Sequence, residues 1–425
     1  MNTLKKLLIC AFTLITLNTN LVMAATTAPN ASAEGVAVIN ASTGEVIYGK
    51  NENIQYAPAS PTKLMTALLT LENCDLNEQV KISTLPPTIE GSKIYLDTDE
   101  VLTVRELLYS LIMVSANDSA TALAEHIGGN IDNFATMMNQ RAQKLGCKNT
   151  NFTNPHGLYE KQHKTTAYDL ALMEKELLKN STYLEISQTK NTFLEPTNKF
   201  KEQRPLWNDN RLIQPSSEYY YEPCLAAKTG FTDEALHSFV ASAKKGNETF
   251  IVSLLRDQNK TYFKDSKEIF EWAFNNFETV KLYEKNSKVT DYKCTTTGVE
   301  IPLVAGESFY YTKDKTVTDE PKITYDITTL DTSAILAGQK VGVAHFKYNN
   351  IEKDIPLISG RDYYPIKTVS TYEYINNTIT DSTNNFTLIL TGICALFLGL
   401  IIVFILLTIK KRNQKNMFFL KNKRH

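Results

Sequence analysis

Between Phe386 and Ile409 the chain carries no charged residue, and a helix of that length crosses a bilayer. Everything before it must then fold on one side of a membrane. Lys410, Lys411, Arg412, Lys415, Lys421, Lys423 and Arg424 follow the apolar run. By the positive-inside rule, residues 410–425 are expected in the cytoplasm. The other end agrees. Lys5 and Lys6 precede an apolar stretch from Leu7 to Leu17 and then Val22-Met23-Ala24, the pattern of a secretory signal peptide over residues 1–24 with cleavage after Ala24 or Ala25. The expected protein is single-pass, with its bulk on the extracytoplasmic face.

A chain of 425 residues exceeds one ordinary domain and suggests two or three. A net charge of -1 gives no whole-chain argument for nucleic acid as a partner. Of six cysteines, Cys10 leaves with the signal and Cys394 sits in the apolar run. Cys74, Cys147, Cys224 and Cys294 show no C-x-x-C pairing, so neither a metal nor a cofactor is expected. Disulfides are permitted outside the cytoplasm, but isolated thiols are the reading adopted. His126, on a core helix, and His345, on a strand, have no ligand company in sequence. His156, in Asn-Pro-His-Gly, reads as structural.

Residues 34–49 alternate small and apolar side chains around Ser42-Thr43-Gly44, which predicts two strands and a tight turn. Helical periodicity begins at Pro61 with Leu64, Met65, Leu68 and Leu69 on one face. It returns at Val104–Met113, Ser119–Ile127, Asp132–Leu145 and Ala167–Leu178. Ser238–Ser242 and Thr249–Leu255 read as strands, and a helix from about Lys264 to Phe274 closes the unit. Strands at both ends with helices between predict an α/β (α+β) domain over 25–276, an antiparallel sheet flanked by helices. From Val280 to Leu357 short strand-like runs alternate with Gly, Asn and Asp, so 277–370 is expected to form a small all-β, sandwich-like domain. Residues 371–385, rich in Thr and Asn, read as a polar stalk, followed by a transmembrane helix over 386–409.

Three short motifs stand in order: Ser60-Pro61-Thr62-Lys63, Ser115-Ala116-Asn117 and Lys228-Thr229-Gly230. Together they make the S-x-x-K, S-x-N, K-T-G set. The chain also holds decoys, Ser187 with Lys190, Ser242 with Lys245, and Ser382 with Asn384. Only Ser60 precedes a Pro at the first helical position and an apolar-periodic helix. Three residues on, Lys63 shares its face and can reach the Ser60 hydroxyl. A serine hydroxyl needs a base, and no His stands in a triad-like setting. Neutral Lys63 is the candidate, which requires its pKa to fall through burial and a second cation. Lys228 is that cation and would also attract a substrate carboxylate. Ser115 can relay a proton to a leaving amine, and Asn117 can hold Lys63.

With Val114–Ala120, Asn151–Leu158, Thr165–Asp169 and Lys228–Ala235 added to the motifs, the chain resembles the low-molecular-weight penicillin-binding proteins of the D-alanyl-D-alanine carboxypeptidase family over nearly its whole mature length. The resemblance implies a transpeptidase/β-lactamase-like catalytic domain, a β-domain and a C-terminal anchor in a bacterial plasma membrane. It implies Ser60 as the acylated nucleophile and Lys63 as its base, with Ser115, Asn117 and Lys228 completing the site. The backbone amides of Ser60 and Phe231 would form the oxyanion hole, and Thr229, Gly230 and Thr232 would line the place of the substrate carboxylate. Expected partners are peptidoglycan stem peptides ending in D-Ala-D-Ala and β-lactams. Leu236 and His237 stand where the family has Gly and an aromatic, and Tyr262 where an Arg is common, leaving Arg256 and Lys260 as nearby cations. Two other readings share the motifs: a β-lactamase of this fold, for which no Glu-x-x-Leu-Asn element is found, and a penicillin-binding sensor or scaffold without turnover.

Overall fold

Every residue of the first strand, Gly35–Asn40 (β1), is buried, because both faces of its sheet are covered. The computed structural model describes residues 27–330, 333–365 and 371–421. The expected signal peptide and residues 422–425 of the expected tail lie outside them. Val46–Lys50 (β2) returns against β1 after Gly44 at φ 77 and an Asn40 side chain that accepts the Ser42 N–H at 2.8 Å.

A helical stretch follows: Lys63–Asn73 (α1), the small pair Gln79–Lys81 (β3) and Val101–Thr103 (β4), Val104–Met113 (α2), Asn117–Gly128 (α3), Ile131–Lys144 (α4), Ala167–Leu177 (α5) and Ser181–Gln188 (α6). The start of α2 is fixed by a capping box, in which Thr103 Oγ1 accepts the Glu106 N–H and the Glu106 carboxylate accepts the Thr103 N–H. Asn191–Leu194 (β5) and Arg204–Trp207 (β6) pair as a short ribbon. Cys224–Thr232 (β7), Leu236–Lys245 (β8), Glu248–Asp257 (β9) and Tyr262–Asn276 (α7) complete this part. The predicted helices and strands are all present within a few residues; β3, β4, α6, β5 and β6 come in addition, each too short to show a period.

The main sheet is antiparallel in the order β2-β1-β9-β8-β7. Alternation splits its core into two layers. Ala37, Ile39, Val240 and Ile251 face the helices α1–α6, while Val36, Val38, Phe239, Phe250 and Val252 pack with Ile269 and Phe270 of α7. Strand β7 lies at the edge, beside the start of α1.

Between α7 and Ser359 the described elements are all strands, as predicted: Phe277–Tyr283 (β10), Lys288–Lys293 (β11), Glu300–Ala305 (β12), Phe309–Asp314 (β13), Lys322–Ile327 (β14), Lys340–Tyr348 (β15) and Ile351–Ser359 (β16). β10 pairs with β13, and β12-β16-β15-β14 form an antiparallel sheet. The described residues up to Thr290, with Pro302–Thr328 and Lys340–Gly360, form one unit, and Asp291–Ile301 with the described residues of Thr329–Gln339 and from Arg361 onward form another. In the second, Cys294 Sγ lies 2.8 Å from Tyr363 Oη and Ile335 bridges to Tyr363. It ends in the helix Thr371–Lys421 (α8), which takes in the polar segment read as a stalk. Phe386–Arg412 of α8 is apolar and long enough to cross a membrane.

No disulfide joins two of the described cysteines. One sequence expectation needs correction: His126 does have potential ligand neighbours, because the fold sets Glu78 and Cys74 beside it.

Candidate active site

Ser60 opens a single 3-10 turn, Ser60–Thr62, that feeds α1. Pro61 occupies the first helical position, where a missing N–H costs nothing, and Ala59 enters at φ 53, a backbone region that is rare for a non-glycine residue. This bend is held from below. His163 Nδ1 accepts the Thr153 N–H at 3.0 Å, so Nε2 carries the proton and donates to Thr62 Oγ1 at 2.8 Å. The Thr62 hydroxyl donates in turn to Ala59 O at 2.8 Å. Gly157, at φ 90, packs so closely that a Cβ there would sit 1.9 Å from Ala59 O.

Lys63, at 1 % exposure, points back along the helix face as its spacing predicts. Its Nζ lies 3.0 Å from Ser60 Oγ and donates to Asn117 Oδ1 at 2.7 Å and His156 O at 2.7 Å. Asn117 starts α3, and its Nδ2 donates to Glu90 O at 2.6 Å, which fixes the amide orientation so that Oδ1 faces the lysine. Asp118 accepts the N–H groups of Ile94 and Leu96 and thereby ties the 90–96 loop to α3. Ser115, at φ 63, makes the sharp turn between α2 and α3. Its buried Oγ has no hydrogen-bond partner among the described residues.

From the other side comes β7. Lys228 is buried, and its Nζ donates to Thr229 O at 3.0 Å. A Cβ on Gly230 would lie 2.4 Å from Pro61 Cδ and 2.7 Å from the Ser60 N atom; only glycine lets the strand approach the serine this closely. Phe231 is half exposed and lies ring to ring with His237 at 4.6 Å. Thr232 Oγ1 accepts the Ala235 N–H at 3.0 Å inside the β7–β8 turn.

The electrostatics follow from burial. Desolvation, and then the charge of Lys228, hold Lys63 well below its ordinary pKa, against the opposing pull of Asp118 and Asp209. Burial brings Lys228 itself down to about 8, opposed by Asp209. His156 and His163 both fall to about 3, chiefly by burial.

Lys63 thus joins Ser60 to Asn117, Gly230 packs against Ser60, and Lys228 is near enough for its charge to act on Lys63. Ser115, Phe231 and Thr232 sit at the flanking turn and strand, without a bond to that cluster. Sequence reasoning missed His163 and Asp209. Thr62, inside the S-x-x-K motif, is what needs His163, while Asp209 lies in an Asn-Asp-Asn turn with no periodic signal. One decoy falls away: Ser242 Oγ donates to buried Glu174 at 2.8 Å, and Lys245 pairs with Glu271. Leu236 stands at φ 56, which explains why glycine suits that position. Tyr262 is buried against Phe239 and Phe263. Arg256 is already engaged, through Glu34 and the Glu234 carbonyl, each at 3.0 Å.

A serine at the start of a buried helix, paired with a desolvated lysine beside an edge strand, marks an active-serine peptidase. The chain belongs to the D-alanyl-D-alanine carboxypeptidase family, which residues 22–259 match, while residues 277–364 match the penicillin-binding protein 5 C-terminal domain. It is 37% identical over 273 residues to D-alanyl-D-alanine carboxypeptidase DacF of Bacillus subtilis, covering 61% of this chain and 67% of that one. The match to DacA of Haemophilus influenzae is 28% over 349 residues, 77% and 84% of the two chains. The solved penicillin binding protein 5 from Haemophilus influenzae is similar at a TM-score of 0.68 and 26% identity, covering 79% of this chain and 99% of that one.

Proposed function

We propose that the protein is a serine D-Ala-D-Ala carboxypeptidase that removes the terminal D-alanine from peptidoglycan stem peptides. The observation that carries the mechanism is Lys63 Nζ at 3.0 Å from Ser60 Oγ in a buried site that favours the neutral amine. Neutral Lys63 takes the Ser60 proton as Oγ attacks the carbonyl between the two D-alanines. The oxyanion settles against the backbone N–H groups of Ser60 and Phe231. Edge strand β7 offers its free side to an extended peptide. Lys228, with Thr229 and Thr232, receives the terminal carboxylate. Ser115, whose hydroxyl has no described partner, relays to the departing amine the proton that Lys63 took, so that both return to their starting states; a water then gives a proton to Lys63 as it attacks the ester, and Lys63 returns that proton to Ser60 Oγ as the trimmed peptide leaves. β-Lactams acylate the same hydroxyl.

The export and anchoring scheme is part of this proposal. A signal peptide over 1–24 exports the chain, the Phe386–Ile409 segment spans the plasma membrane once, and the basic tail stays inside. The catalytic (25–276) and β (277–370) regions then work outside.

The deciding assay measures D-alanine released from a peptide ending in D-Ala-D-Ala by the detergent-solubilised chain and by Ser60→Ala. Release by the wild type alone is the expected result. Labelling of Ser60 by a fluorescent penicillin without D-alanine release would favour the sensor reading, for which the engaged Arg256 and the buried Tyr262 are the motivating observations.

A further inference from the structure

At the ends of α1 and α3 remote from the serine, three donors of different chemistry converge. The Cys74 sulfur, a Glu78 carboxylate oxygen and a His126 ring nitrogen lie within 4.8 Å of one another. Cys74 is the C-cap of α1, and His126 lies in the last turn of α3, so the negative ends of two helix dipoles point toward the same place. The connecting turn is fixed. Glu78 N–H donates to Asp75 O at 3.1 Å, Asn77 N–H to Asp75 Oδ1 at 2.8 Å, and Glu78 O accepts the Val104 N–H at 2.9 Å.

The carboxylate is oriented as well. Glu78 Oε1 accepts the Asp75 N–H at 2.7 Å, which leaves Oε2 at 3.0 Å from His126 Nε2. Two ligands about 2.0 Å from a tetrahedral zinc ion stand roughly 3.3 Å apart, so this nitrogen and oxygen are already near ligand spacing. A His–Glu surface pair alone accounts for their contact but not for the thiol brought to it. The sulfur needs to close by only about an ångström to reach ligand spacing, within the reach of a side-chain rotation.

We propose that Cys74, Glu78 and His126 form a site for a borderline-soft divalent cation, zinc by its donor set, with water as the fourth ligand. The ion joins the C-terminal ends of the two helices whose N-terminal ends carry Lys63 and Asn117. It acts as a clip, remote from the substrate.

The test uses the full chain in detergent, purified without a polyhistidine tag and stripped of metal. Zinc bound after gel filtration is measured by mass spectrometry, and cobalt is added as a spectroscopic probe. The expected result is about one zinc per chain and a near-ultraviolet thiolate-to-cobalt band with tetrahedral visible bands. Both are lost in Cys74→Ser and in His126→Ala, and Cys394→Ser, which removes the exposed thiol of α8, keeps them. Zinc should also raise the wild-type Tm by about 5 °C and leave Cys74→Ser unmoved. No stoichiometric zinc and no cobalt band in the wild type overturns the site, and so does undiminished zinc in both variants. Should the variants fail to fold, the wild-type cobalt spectrum decides alone.

Discussion

Two lysines of one sign, both buried, set the reactivity of one serine. Removing Lys63 removes the base, and Lys63→Ala should slow penicillin acylation by about 10²–10⁴-fold. Lys228 acts on Lys63 through charge, as the second-largest cause of its lowered pKa. Lys228→Met therefore makes protonation of Lys63 easier. The acid limb of the acylation pH profile, where protonated Lys63 is inactive, should move to higher pH. A profile whose acid limb stays in place would show that Lys228 serves the carboxylate alone. Gly230→Ala tests the close approach of strand and nucleophile. Its Cβ meets Pro61 and Ser60, and a displacement of about 1 Å costs on the order of 10²-fold in rate, measurable as the second-order acylation constant. Residues that act through local spacing were legible in the sequence: Ser60 and Lys63 share a helix face, and Lys228-Thr229-Gly230 is contiguous. His163 and Asp209 reach the site from loops distant in sequence, and no period announces them.

Three of the elements that bear on Ser60 meet it with their ends: the N-termini of α1 and α3 and the turn after α2. Their alignment depends on polar ties that hydrophobic periodicity does not encode. Periodicity predicted α1–α5 closely because each buries an apolar stripe in the core shared by the helices and one face of the sheet. It said nothing of the 90–96 loop, which has no period and is held by the Asp118 carboxylate together with Asn117 N–H to Ser92 O and Arg204 to Ile94 O. Asp118→Ala would leave the Ile94 and Leu96 N–H groups without that acceptor, at about 1–3 kcal/mol for each buried donor. The loop carries Glu90 O, the acceptor that orients Asn117. The variant should thus lose both stability and acylation rate, in a thermal melt and a penicillin-labelling time course. A lower Tm with an unchanged labelling rate would detach the loop from the site.

At the scale of the whole catalytic fold, three buried groups titrate against one another. His156 and His163 are held near 3 instead of 6.5. Between those values the unfolded chain binds the extra protons, so these residues make stability fall as the pH drops below about 6.5. Glu174 works in the opposite sense. Its carboxyl lies under the sheet, accepts from Tyr183 Oη at 2.6 Å and Ser242 Oγ at 2.8 Å, and is raised by burial from 4.5 to about 7. Between 4.5 and 7 the native state keeps a proton that the unfolded chain releases, so this group makes stability fall as the pH rises. The slopes oppose each other between pH 4.5 and 6.5, each group contributing up to about 1.4 kcal/mol per pH unit. Glu174→Gln keeps the shape and the hydrogen-bonding oxygen but cannot titrate. Its stability should climb more steeply with pH than that of the wild type across this window, by about that amount per unit. The comparison is a set of denaturation curves at pH 4.5, 5.5 and 6.5 for both proteins. Parallel slopes would mean that Glu174 is ionised in the fold and that its two hydroxyl partners outweigh the burial.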